Sequence, residues 1–224
     1  MWWLHAHPVI LAVLTGFVLG VILCIPVGPI NLTIINEGAR RGFTWAFLIG
    51  LGSTAMEVLY CSIAFTGFSS LFGHRYIKAG MEVFSFAFLI FLGIKFLMAR
   101  SVEATNKIEE RIEEKLHPHS AFMIGFVRTM GNPGVLVFWI ILAANLISGE
   151  WVPANGAGRF ACITGVAAGC LVWFTGLSWA VSRGHKKFSD KTLLRMEHYS
   201  GIGLLVLGFA HGLRLVWQLA RHKM

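Results

Sequence analysis

Charged residues are scarce in this sequence. Asp, Glu, Lys and Arg together make up 13% of its 224 residues, whereas hydrophobic residues make up 56%. The stretch from Val9 to Ile35 contains no charge at all, and a helix of that length reaches ~40 Å, more than the ~30 Å hydrocarbon core of a bilayer. With a mean hydropathy of +0.68, this composition excludes an ordinary soluble domain and predicts an integral membrane protein.

Motifs for soluble chemistry are also lacking. The four cysteines, at positions 24, 61, 162 and 170, all fall within apolar runs and form no C-x-x-C pair, which excludes a disulfide framework. No phosphate-binding loop or nucleophile motif is present, so neither an enzyme nor a cofactor site is predicted. Two H-x-H pairs, His5/His7 and His117/His119, have no carboxylate cluster nearby and are interpreted as solvated loop residues, so no metal site is predicted either.

The net charge of +8 does not indicate nucleic acid, because Lys and Arg gather in short connections between apolar runs. Eleven of them fall in the first, third and fifth connections and five on the opposite side. The positive-inside rule then places the odd connections in the cytoplasm and both termini outside, in a multi-pass protein whose partner is the lipid bilayer.

Six apolar runs approach spanning length and predict six transmembrane helices. They cover residues 9–35, 43–72, 81–98, 121–148, 160–182 and 199–219. A charged stretch over 99–119 is typical of a solvated amphipathic helix or a linker. The chain is therefore predicted to be a single membrane domain, with repeat one at about 9–98, a cytoplasmic linker at about 99–119 and repeat two at about 120–220.

The two halves look like copies of each other. Shifting the sequence by 115 residues brings Met81-Glu82-Val83-Phe84-Ser85 onto Met196-Glu197-His198-Tyr199-Ser200, and six of thirteen positions up to Gly93 agree. Each half has three predicted helices, an odd number, so the second must insert upside down relative to the first. The predicted fold class is an all-α membrane protein built from two inverted three-helix repeats. Glu82 and Glu197 are predicted to cap the starts of their helices.

Prolines interrupt the first helix of each half. Pro26 and Pro29 lie within the first apolar run and Pro133 within the fourth. A proline inside a helix removes an N–H and crowds the carbonyl four residues back, so both helices are predicted to break. Backbone groups freed within a membrane must be buried by protein or satisfied in a water-filled cavity, and a broken helix is therefore a candidate binding site.

The residues around these breaks are the candidate binding residues. Asn31 and Asn132 could bind a solute or could hydrogen-bond the freed backbone, and both interpretations stay open. Free N–H groups at half-helix ends suit an anion and free carbonyls suit a cation. Gly28 and Gly134, together with the prolines, are predicted to contribute backbone to the site.

Ionisable residues inside apolar runs are few, and Glu57 is the strongest candidate among them. A charge at the centre of a membrane helix costs roughly 2.5–3.5 kcal/mol and usually faces a cavity, a partner or a proton path. Glu57 is therefore predicted to carry the coupling proton, the alternative being a neutral or paired structural side chain. Arg128 could pair with a substrate carboxylate or with Glu57, or could snorkel to the interface. His211 is a further candidate for proton relay, although a structural role is favoured.

The motif Pro26-Val-Gly-Pro-Ile-Asn31, followed by Glu37-Gly-Ala-Arg-Arg-Gly42 and by Gly50-Leu-Gly52 ahead of Glu57, resembles the first third of the LysE family of amino-acid exporters. Asn132-Pro133-Gly134 resembles the second Asn-Pro signature of that family. The resemblance implies a six-helix inner-membrane protein that expels basic or neutral amino acids, generally with the proton gradient. It also implies a transport site carried by Pro26, Gly28, Pro29, Asn31, Glu57, Asn132 and Pro133.

These observations favour a proton-coupled exporter of an amino acid or a similar small zwitterion, with a homodimer left open. Two other functions are weighed against it. Efflux of a divalent cation would need several converging carboxylates, and no apolar run contains Asp. A thiol–disulfide electron conduit would need facing cysteines, and only Cys24 lies near a proline break.

Overall fold

A computed structural model describes residues 3–26, 28–67, 75–100, 115–116, 120–148, 151–184 and 190–220. The described chain is helical and contains no strand, which confirms the predicted all-α class. Its helices are α1 (Trp3–Cys24), α2 (Pro29–Arg41), α3 (Phe43–Gly67), α4 (Arg75–Leu97), α5 (Ala121–Met130), α6 (Pro133–Ser148), α7 (Gly156–Gly184) and α8 (Asp190–Ala220). Most of the predicted linker, the His117/His119 pair and the side chains of His5 and His7 lie outside the described residues.

Three helices of the described chain are long and apolar enough to cross a membrane: α3, α7 and the 191–217 part of α8. Two further spans result if each of two bent helix pairs is counted as one, which gives up to five. Helix α4, which contains the predicted span 81–98, is not among them. Six spans therefore stay a prediction.

The first predicted break separates α1 from α2. Helix α1 ends at Cys24, α2 begins at Pro29, and the two helices are bent by 72°. Pro26 and Pro29 lack the N–H groups that would have bonded the carbonyls of Ile22 and Ile25 in a continuous helix. The bend follows from these two missing donors.

The second predicted break separates α5 from α6, which are bent by 67°. Helix α5 ends at Met130, and the N–H of Gly131 still bonds the carbonyl of Val127 at 2.9 Å. Pro133 is the first residue of α6, a position at which a helix has no use for an N–H. Proline therefore starts a new half-helix in both halves of the chain.

Glycine brings α1 and α7 into close contact. A Cβ added at Gly16 would lie 2.1 Å from the carbonyl oxygen of Cys162, and one added at Gly20 would lie 2.5 Å from that of Val166. Gly16 and Gly20 form a G-x-x-x-G motif, which lets membrane helices approach backbone to backbone. Residue numbers increase in the same direction along both helices from the first contact to the second, so α1 and α7 run parallel.

Helices α3 and α5 pack in the same way. A Cβ added at Gly125 would lie 1.9 Å from the carbonyl oxygen of Ile49. Four residues further along each helix, the hydroxyl groups of Ser53 and Thr129 are hydrogen-bonded at 2.8 Å. These helices are therefore also parallel.

Helices α4 and α8 run antiparallel. Gly201 packs against the backbone of Gly93, whereas Gly212, further along α8, packs against Phe86, which comes earlier in α4. Helices α3 and α7 are antiparallel as well, because Gly50 meets Phe174 while Phe65 accepts a hydrogen bond from Arg159. In both antiparallel pairs the partners occupy equivalent positions of the two predicted repeats.

The predicted capping role of Glu82 and Glu197 is wrong. Helix α4 begins at Arg75 and α8 at Asp190, so each glutamate lies two turns inside its helix. The polar residues ahead of each apolar run continue the helix beyond the stretch that hydropathy marks.

Candidate functional site

A cavity of about 1060 Å³ lies where the two helix breaks meet. Its volume is slightly above the ~300–1,000 Å³ typical of small-molecule sites. Its lining includes every predicted binding residue and both of the predicted ionisable residues nearest to the breaks: Pro26, Gly28, Pro29, Asn31, Glu57, Arg128, Asn132, Pro133 and Gly134. The two interruptions, which lie about a hundred residues apart in the sequence, therefore border the same chamber.

Asn31 uses its side chain to hold the first break together. It is 3% exposed, and its Nδ2 donates to the carbonyl oxygens of Cys24 and Pro26, each at 2.7 Å. Its Oδ1 accepts from the indole of Trp173 at 3.3 Å. Of the two interpretations left open by the sequence, the bond to freed backbone describes this side chain.

Asn132 has a different arrangement at the second break. Its Oδ1 accepts from the backbone N–H of Gly134 at 3.1 Å and its own carbonyl accepts from Val135, so it caps the start of α6. Cap formation uses the acceptor atoms of Asn132 and does not involve its Nδ2 group, and Asn132 lines the cavity. This amide can donate to a solute without giving up the cap.

Glu57 lies on α3 and reaches across to α6. One carboxylate oxygen, Oε2, accepts from the indole N–H of Trp139 at 2.6 Å. Trp139 itself is 1% exposed, so a well-packed donor fixes the orientation of the carboxylate. Glu57 also lines the cavity, where a solute or a proton can reach it.

The face of α3 that carries Glu57 runs along the second break. Ser53 bonds Thr129, and Tyr60 donates its hydroxyl to the carbonyl of Met130 at 2.8 Å, at the end of α5. Sequence reasoning missed Ser53, Tyr60 and Trp139. Ser53 and Tyr60 could have been found from their spacing to Glu57, because residues 53, 57 and 60 lie on one face of a helix.

Arg128 connects the two breaks. It lies in the last turn of α5, and its guanidinium donates to the hydroxyl of Thr33 on α2. Thr33 in turn donates to the carbonyl of Pro29 at 2.7 Å. Arg128 also lines the cavity, so a fixed positive charge stands beside the N-terminal end of α2.

Four helix ends converge on the cavity. The N-terminal ends of α2 and α6 carry partial positive charge and unpaired N–H groups, and Gly28 gives α2 no side-chain cap. The C-terminal ends of α1 and α5 carry partial negative charge, and among their carbonyls that of Cys24 accepts from Asn31 and that of Met130 from Tyr60. With Arg128 and Glu57 beside them, these ends offer complementary partners to a carboxylate and an ammonium group in one place.

The remaining candidate side chains differ in whether they reach the cavity. His211, on α8, is not among the cavity residues, and its ring Nε2 lies 3.2 Å from the carbonyl oxygen of Glu82. Cys24 lines the cavity, whereas Cys170, whose thiol donates to the carbonyl of Gly20 at 3.7 Å, lies on α7 and is not part of the second break. Lys95 lies at the far end of the cavity, near the end of α4.

These features define a helical membrane protein of several spans with a polar chamber at two broken helices. The chain belongs to the LysE type translocator family, which it matches over residues 21–216, and this confirms the resemblance seen in the motifs. Members of this family are transporters.

Two relatives cover most of the chain. YcgF of Bacillus subtilis (strain 168), provisionally named an amino acid efflux protein, is 27% identical over 206 residues, which are 92% of this chain and 97% of YcgF. The chemotactic transduction protein ChpE of Pseudomonas aeruginosa strain PAO1 is 25% identical over 183 residues, 82% of this chain and 87% of ChpE. No solved structure matches the chain.

Proposed function

We propose that this protein is a secondary transporter that exports an amino acid or a similar small zwitterion, with protons as the coupling ion. The observation that carries the proposal is the single cavity at which four half-helix ends, Arg128 and Glu57 meet. The similarity to YcgF, whose name refers to amino acid efflux, supports the same substrate class.

The substrate carboxylate is proposed to bind between the N-terminal ends of α6 and α2. The Nδ2 of Asn132 is a donor at the first of these helix ends and the guanidinium of Arg128 at the second, in addition to the two helix dipoles. The substrate ammonium group is proposed to bind between the partially negative C-terminal ends of α1 and α5 and the carboxylate of Glu57. A zwitterion satisfies both sets of partners, whereas a simple cation or anion satisfies only one.

Transport is proposed to occur by alternating access between two inverted repeats. The parallel pairs α1/α7 and α3/α5 and the antiparallel pairs α4/α8 and α3/α7 support this plan, because an upside-down second triplet requires these directions.

The open side of the cavity is proposed to face the cytoplasm of a bacterium whose inner membrane holds the protein. The cavity extends to Lys95 and Arg100 at the end of α4, next to the connection that carries four of the eleven Lys and Arg residues counted on the odd side. The conformation then corresponds to the state that loads substrate from inside the cell, with both termini outside.

Glu57→Gln tests the coupling directly. This change keeps the acceptor for Trp139 but removes the titratable group, so gradient-driven efflux from proteoliposomes should be lost. Exchange of substrate across the membrane without a gradient should persist with a higher half-saturation concentration, because an amide oxygen is a weaker partner for the substrate ammonium group than a carboxylate. Glu37→Gln is the matched control, since Glu37 pairs with Arg40 and Arg41 at the end of α2 and does not line the cavity. Gradient-driven efflux by Glu57→Gln at the rate of the control would refute proton coupling through this residue.

A further inference from the structure

The wall of the cavity opposite the helix breaks is apolar. It consists of aromatic and aliphatic side chains from three helices, namely Phe88, Leu92 and Phe96 of α4, Phe138 of α6, and Leu204 and Leu207 of α8. The polar half of the chamber lies at the breaks, on α1, α2, α3 and α5 and at the start of α6. The other half is mainly apolar, and its polar members include Lys95 of α4 and Glu197, Tyr199 and Ser200 of α8.

The apolar wall is a continuous face of α4. Positions 88, 92 and 96 follow one another at a spacing of four and therefore lie on the same side of the helix. Phe91 and Ile94, between them, point away from the chamber and are 61% and 45% exposed. The division of α4 into a chamber side and an outer side gives each wall residue a neighbouring control position.

The charges at the far end of this wall do not suit a second ammonium group. Of the described residues that line this part of the cavity, Lys95 and Arg100 are positive and Glu197 alone is acidic. The excess of positive charge repels a lysine or arginine side chain. The phenyl rings and leucine side chains would also strip water from any charged or hydroxylated group without replacing its hydrogen bonds.

We propose that the site selects amino acids with a large apolar side chain, of the leucine or phenylalanine type, over basic and small polar ones. The inference rests on the proposed function, because the polar half must hold the α-ammonium and α-carboxylate groups for the side chain to reach the wall. The α-ammonium and α-carboxylate groups fix the orientation of the substrate, and the apolar wall determines which side chain is preferred. One methylene group in an apolar pocket contributes about 10–200-fold to selectivity, so a leucine side chain is strongly distinguished from that of alanine.

The test is counterflow of labelled amino acids into proteoliposomes that contain the purified protein, which needs no ion gradient. Leucine and phenylalanine should exchange with half-saturation concentrations at least about 10-fold below those of alanine, threonine and lysine. Exchange of lysine or threonine in preference to leucine would overturn this inference and leave amino acid export standing. Failure of every amino acid to exchange, with protein that is monodisperse and thermally stable, would overturn both.

Variants on the two sides of α4 locate the selectivity. Phe88→Ala should raise the half-saturation concentration for leucine by about 10-fold or more while alanine is unaffected, and Phe91→Ala on the outer side should change neither. If Phe88→Ala does not fold, the pair Leu92→Ala and Ile94→Ala makes the same comparison. Equal effects of the chamber-side and outer-side variants would show that the wall does not select the substrate.

Discussion

At the scale of single residues, the two asparagines at the breaks perform different tasks although they occupy similar places in the two halves. Asn31 is buried and donates two hydrogen bonds to carbonyls at the first break. Asn132 lines the cavity and uses its acceptor atoms, not its amide nitrogen, to begin α6. The first asparagine holds the fold and the second is placed to hold a solute.

The same substitution at both positions separates these roles. Asn31→Asp removes two donors and sets a carboxylate against two carbonyls, which should cost about 1–3 kcal/mol for each lost bond. Asn132→Asp keeps the capping oxygen and should leave stability nearly unchanged, yet it should raise the half-saturation concentration for substrate because its donor is gone. Thermal unfolding in detergent, together with exchange assays, measures both. A destabilised Asn132→Asp protein with normal substrate affinity would contradict the assignment.

Sequence reasoning placed these residues but not their bonds. Proline lacks an N–H wherever it stands, so the freed carbonyls near Pro26 and the need for a polar neighbour could be predicted from the chain alone. The donor that Glu57 meets could not, because Trp139 is 82 positions away in the sequence and only the packing of α3 on α6 brings them together. The structural role favoured for His211 is in keeping with its contact to the backbone of α4.

At the scale of the helices, glycine contacts determine which elements stay together. Gly52 and Gly125 sit where α3 and α5 touch, and a Cβ at either position would lie 1.9 Å from a carbonyl oxygen of the other helix. Gly176 on α7, in contrast, has no described atom within 4 Å of an added Cβ. Glycine is required at the first two positions by close approach and is not required at the third.

Alanine substitutions at these sites should therefore change the free energy of unfolding in opposite directions. Gly125→Ala forces α5 away from α3 and should lower the free energy of unfolding by about 1–3 kcal/mol. Gly176→Ala has room for its methyl group and should raise it by about 0.5–1 kcal/mol, because alanine loses less backbone entropy in a helix. Unfolding of the two variants in the same detergent gives the comparison. Equal shifts in one direction would mean that α3 and α5 are not in this close contact.

Helix breaks were easier to predict than helix ends or helix partners. Hydropathy marks the part of a helix that suits lipid, so the polar turns from Arg75 and from Asp190 were not included in the predicted elements. The G-x-x-x-G motifs at Gly16 and Gly165 indicate close packing but do not state with which helix. Partner choice depends on which faces meet, and that information is not contained in one helix.

At the scale of the whole molecule, transport through one chamber requires residues of both helix breaks to line it. Residues of each break line the same cavity, with an apolar wall on α4 and α8 and a polar centre at the half-helix ends. Phe88 of α4 packs on Phe138 of α6 beside this cavity, whereas no described atom lies within 4 Å of a Cβ added at Gly203 of α8.

Protection of one cysteine at each break by the transported amino acid tests this claim most directly. Gly28→Cys and Gly134→Cys, each made in a Cys24→Ala background because Cys24 also lines the cavity, would be labelled with a water-soluble maleimide at increasing substrate concentrations. A shared chamber predicts that both cysteines are labelled in the absence of substrate and that the same concentration of amino acid half-protects each. Protection of only one cysteine, or of neither, would contradict it.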